Sequence, residues 1–75
     1  MTIANLFGSC NNINAATEIY IYTSEEKLAN GLEYWHGLMV HFPDKEMNLR
    51  VDIFRISHTK NRCDIAIFPD WRRKY

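Results

Sequence analysis

Residues 18–44 read EIYIYTSEEKLANGLEYWHGLMVHFPD, and the point at which the helix inside this stretch stops decides the fold. EIYIY at 18–22 is built of the β-branched and aromatic residues that suit strands. Ile19 and Ile21 fall on one side and Tyr20 and Tyr22 on the other, so the isoleucines are expected inward and the tyrosines at least partly outward. Thr23 with Glu26 three residues on matches a capping box, and Glu25 and Glu26 suit the positive end of a helix dipole. The helix continues through KLANGLEYWH, where Leu28, Leu32 and Trp35 make one stripe and Glu26, Asn30 and Glu33 lie opposite. Gly31 inside that helix costs about 1 kcal/mol against Ala, which a close approach by another backbone would explain.

Two endings compete. Met39 and Phe42 extend the stripe at helical spacing, whereas Gly37 is placed as a C-terminal glycine in the left-handed conformation. MVHFPD at 39–44 ends like IAIFPD at 65–70, which reads as a strand entering a turn. Proline drives the preceding Phe toward extended backbone in both. The comparison favours a helix ending near His36 and a strand over 38–42.

Outward from there, DKEMN forms a turn and NLRVDIFRIS at 48–57 forms a long strand. Its apolar phase changes: Leu49, Val51 and Ile53 alternate, then Phe54 and Ile56 take the opposite parity. A β-bulge near Ile53–Phe54, or burial on both faces, accounts for this. HTKNR at 58–62 is a polar hairpin turn, CDIAIF returns with Cys63, Ile65 and Ile67 on one face, and PDWRRKY is a basic-aromatic tail. Gly8–Thr17 reads as loop, and TIANLF at 2–7 is open between a strand and a short helical turn. The expected order is β-α-β-β-β, or ββαβββ if 2–7 is a strand, with the last three strands in a meander. That is an α+β single domain: one amphipathic helix on a mostly antiparallel sheet.

Seventy-five residues, 47% hydrophobic and 13% aromatic, suit one small folded domain with one modest core. Net charge is zero but unevenly placed, −3 over 1–37 and +3 over 38–75. A neutral total argues against long-range steering to DNA or an acidic membrane. No segment approaches the ~20 apolar residues of a membrane helix. LFGSC at 6–10 resembles a lipoprotein cleavage site but lacks the basic and apolar regions that precede one. Two cysteines, Cys10 and Cys63, are fewer than a secreted chain this small usually carries, so reduced thiols and a cytoplasmic location are expected.

The chemistry of catalysis is sparse. His36, His41, His58, Cys10 and Cys63 show no metal-ligand spacing, and on a continued helix His36 and His41 would stand ~140° apart. Cys63 and Asp64 point to opposite faces of a strand, so the acid cannot serve the thiol. Asp52 and Asp64 read as exposed ion-pair neighbours of Arg50 and Arg62. Glycine-rich phosphate loops are absent. No enzyme activity, cofactor or metal is expected.

Binding is the remaining class. Tyr20, Tyr22, Tyr34, Trp71 and Tyr75, with Arg72 and Arg73, are the residue types that anchor protein interfaces. The acidic helix face of Glu25, Glu26 and Glu33 offers a second surface, able to occupy a basic channel on a target. The leading expectation is a non-enzymatic protein-binding module, an inhibitor or adaptor of the kind phage and mobile elements direct at host defence, anti-CRISPR proteins among them. The alternative is a small nucleic-acid-binding regulator using Arg50, Arg55, Lys60, Arg62 and the tail. Self-association through an open strand edge would make a homodimer.

Overall fold

The helix that follows the first strand is short. In the structure, a computed structural model that describes residues 1–10, 13–57 and 59–68, strand β1 (Glu18–Tyr22) leads to helix α2 (Glu25–Asn30), preceded by helix α1 (Ile3–Ser9). Ser24, not Thr23, caps α2, its hydroxyl accepting from the Lys27 amide. Gly31 ends α2 with φ 71° and ψ 26°. The Gly31 amide donates to the Leu28 carbonyl and the Leu32 amide to the Lys27 carbonyl, the paired bonds of a Schellman motif.

This corrects the expected boundary. The left-handed turn sends the chain straight back along β1, so β2 is Trp35–Leu38 rather than 38–42. Leu32 and Trp35 therefore leave the helical stripe: Leu32 is 60% exposed and Trp35 lies in a strand. Residues Met39–His41 form a 3₁₀ turn, with the Phe42 amide donating to the Met39 carbonyl. Phe42 is extended before Pro43, as its proline requires, but it belongs to no ladder. The likeness of MVHFPD to IAIFPD therefore does not extend to strands: IAI ends the strand Arg62–Ile67, whereas Met39–His41 form a 3₁₀ turn.

The two glycines exchange roles. Gly31 holds the left-handed cap, and Gly37 holds the close approach: a Cβ there would stand 3.1 Å from two atoms of the Trp35 ring.

Strands β3 (Val51–Ser57) and β4 (Arg62–Ile67) complete a four-stranded sheet in the order β2-β1-β4-β3. The central pair β1/β4 is parallel and both outer pairs are antiparallel. The α+β class and the β-α-β-β-β order from Glu18 onward are as expected. The meander is not: β2 pairs with β1 at the far edge from β3. Thr2 makes only an isolated antiparallel bridge to Arg50 before α1 begins at Ile3, so the ββαβββ order does not occur. Thr2 and Asn5 cap α1 reciprocally, and Ile3, Leu6, Phe7 and Cys10 recur at the spacing of one helix face.

A register shift between Val51 and Ile53 inserts Asp52 as a bulge. Val51 and Ile56 consequently pack on the main core while Ile53 packs on the opposite face. The parity change seen in the sequence is this bulge, one residue earlier than the expected position.

The main core lies on the side of Ile19, Ile21, Cys63, Ile65 and Ile67, where α1, Phe42 and Leu49 cover the sheet. Phe42 sits edge-on to both Phe7 and Trp35, at 5.5 and 5.1 Å between centroids. Asn61, with φ 49°, joins the β3–β4 turn to the segment before β1. Its side chain accepts from the buried Thr17 hydroxyl and donates to the Ala16 carbonyl.

Candidate functional site

Strand alternation leaves the other face of the sheet to polar and aromatic residues. Their cross-strand register sets three rows. Leu38, Glu18, Arg62 and Ser57 form the first, and His36, Tyr20, Asp64 and Arg55 the second. The third, Tyr22, Ala66 and Ile53, is covered by Leu28 of α2. A helix of six residues spans only about 9 Å, so among the described residues the first two rows stay open.

Side chains in the open rows hold one another. The Tyr20 and His36 rings stack, 5.4 Å between centroids and 15° between planes. The Arg62 guanidinium carbon lies 3.8 Å from the Tyr20 ring centroid. Arg62 donates through Nε and Nη2 to Asp64 Oδ1, at 3.1 and 2.9 Å, and Tyr22 donates its hydroxyl to the same oxygen at 3.1 Å. His36 Nδ1 lies 3.4 Å from a Glu33 carboxylate oxygen. Burial, with the Asp64 carboxylate second, raises the Tyr22 pKa above its usual value. The hydrogen bond to Asp64 holds Arg62 firmly protonated.

Tyr20 thus stands in the open strip, half-buried. Tyr22 differs from expectation: it is 2% exposed, its ring packed with Leu28 and Ala66, and it supports the strip from the adjoining row through its bond to Asp64. Tyr34 is exposed just before β2. Trp71, Arg72, Arg73 and Tyr75 lie outside the described residues, as does His58. Glu25, Glu26 and Glu33 do not share a helix face. Glu25 and Glu26 are in the first turn of α2, whereas Glu33 follows its glycine cap and faces His36. Asp64 pairs with Arg62 along its own strand, and Arg50 lies over the Phe68 ring at 5.3 Å.

His36, Leu38, Arg55 and Arg62 join the site on structural grounds. Strand alternation over 62–67 already places Arg62 with Asp64, but only the parallel β1/β4 pairing sets both beside Tyr20. Among the described residues no group of three or more His, Cys, Asp or Glu side chains could hold a metal ion. Cys63 is fully buried, and burial pushes its thiol up to about 12. Among the described residues no helix is long and apolar enough to cross a membrane. No protein-family model, curated protein or solved structure matches the chain.

Proposed function

We propose that this chain is a non-enzymatic protein-binding module, an inhibitor or adaptor that docks the open face of its sheet on a protein partner. The observation that carries the reading is the preorganised strip His36–Tyr20–Arg62, ending beside Leu38, which is 38% exposed. Tyr and Arg are the residues that most often dominate binding energy, and side chains already fixed lose little entropy on docking. The partner would be blocked sterically or bridged to another surface.

A phage or mobile-element anti-defence role, anti-CRISPR activity included, is the setting this reading favours. Its support is the small α+β domain and, among the described residues, the lack of a catalytic constellation. The unpaired state of Cys10 and Cys63 supports a reducing, cytoplasmic setting.

Tagged wild-type chain and two variants, Tyr20→Ala and Leu38→Asp, test the reading by capture from source-cell lysate. Both variants should lose a discrete captured protein while melting within a few degrees of the wild type. Capture that survives both substitutions would place the docking surface elsewhere.

A further inference from the structure

The open face is not electrically uniform. At the β3–β4 end, Arg55, Ser57, Thr59, Lys60 and Arg62 frame an open hollow of about 670 Å³, with Asp64 in its wall. Three cations there face one acid, and that acid already accepts from Arg62 and Tyr22. Among the described residues, Arg55 and Lys60 make no ion pair, and Arg62 Nη1 donates to nothing. The hollow therefore presents an excess of positive charge together with two neutral hydroxyl donors.

We propose that this hollow receives the carboxylates of an acidic segment on the protein partner. The inference rests on the docking-face reading and adds the chemistry of what docks. Charge placement separates an acidic peptide from nucleic acid. A nucleic-acid strand carries a phosphate every ~3.4 Å and needs a continuing cationic track. Among the described residues the positive region ends quickly. Glu25 shares the next hollow with Arg55 on the α2 side, and Glu18 follows Arg62 in its row toward β2, with Glu33 beyond at His36. A run of phosphates would meet these acids. A short acidic segment followed by an apolar side chain fits both parts: carboxylates on Arg55, Lys60 and Arg62, and the apolar group on His36 and Leu38. The fork of an arginine also matches a carboxylate in two-point hydrogen bonding.

Three labelled probes test this by fluorescence anisotropy against the full chain: a short peptide of Glu and Leu, the same peptide with Gln for Glu, and a poly-thymidine strand of equal charge. The acidic peptide should bind at low salt and the Gln peptide should not. The double variant Arg55→Glu/Lys60→Glu should weaken binding about tenfold or more at unchanged melting temperature. Amide resonances of Ser57, Thr59 and Lys60 should shift in the wild-type chain, a readout independent of any variant. Absence of acidic-peptide binding, or binding indifferent to the double variant, overturns the proposal. Tighter binding of the oligonucleotide through the same two residues overturns it in favour of nucleic acid. Neither result touches the docking-face reading, which the Tyr20 and Leu38 variants judge separately.

Discussion

The guanidinium of Arg62 lies over the ring of Tyr20, 3.8 Å from its centroid, while two of its nitrogens grip Asp64. One side chain thus couples the parallel central strands β1 and β4 on the face opposite the main core. Desolvation is partial, with Arg62 and Asp64 side chains 33% and 15% exposed, so the pair contributes modestly rather than decisively.

Arg62→Met keeps much of the apolar stem but leaves Asp64 with only the Tyr22 hydroxyl. It should destabilise the chain by about 1–2 kcal/mol, the scale of lost charge-assisted hydrogen bonds. Arg62→Lys should recover part of this, because it restores charge without the fork. Urea denaturation of the three chains measures both; equal stability of all three would show that the network contributes nothing.

Gly31→Ala and Gly37→Ala separate two uses of glycine. At Gly31 the backbone is left-handed but a Cβ meets nothing within 4 Å, so the cost should be the conformational one, about 1 kcal/mol. Gly37 has no such backbone demand, but its Cβ would press on the Trp35 ring. That substitution should move Trp35, and with it Phe42, which a change in tryptophan fluorescence would report. Gly31→Ala should leave the fluorescence of the folded chain unchanged.

These glycines also show why the fold was only partly legible in the sequence. Both candidate stops are visible in the sequence, yet the likeness of two Phe-Pro-Asp endings favours the wrong one. Proline dictates one residue's backbone, which Phe42 obeys, but it does not dictate pairing. Strand β2 is fixed instead by what Gly31 allows: an immediate reversal onto β1, with the Tyr34 amide donating to the Ile21 carbonyl. The bulge was legible because it changes the parity of apolar residues within one strand. Of the candidate site only Tyr20 was legible as a docking residue; Arg62 and Asp64 read as an ion pair, with Arg62 a candidate for nucleic acid alone, and the site was not legible as an assembly. Its assembly depends on a parallel pairing between segments far apart in the chain, which no local pattern encodes. Helix α1 did leave a readable trace, the spacing of Ile3, Leu6, Phe7 and Cys10.

Asn61 is the αL residue of the β3–β4 turn and also binds Thr17 and Ala16. Asn61→Gly keeps the backbone and loses the side-chain bonds; Asn61→Ala loses both. Alanine should therefore be the more destabilising by about 1 kcal/mol, with a total near 2 kcal/mol. Thermal melts read the order directly, and Ala more stable than Gly would contradict it.

The core cysteine sets an alkaline limit. Cys63 rises from 9.0 to about 12 through burial, and Tyr22 also titrates above its usual value. A raised folded-state pKa means that the folded chain holds protons the unfolded chain has lost. Stability from Cys63 is therefore complete below pH 9 and declines as pH rises from 9 toward 12. Cys63→Ala should be less stable at pH 7 because a core side chain is shortened, yet lose less of its remaining stability over that window. Urea midpoints at a series of pH values test the difference in slope.

The central claim is that the open face, and not the α1 side, meets a partner. Its most direct measurement is photo-crosslinking with a photoreactive phenylalanine analogue at Leu38 on the open face or at Asn48, exposed on the α1 side, in extracts of the source cells. The account predicts one adduct of discrete mass from position 38 and none from position 48. An adduct from position 48 alone, or none from either, would contradict it.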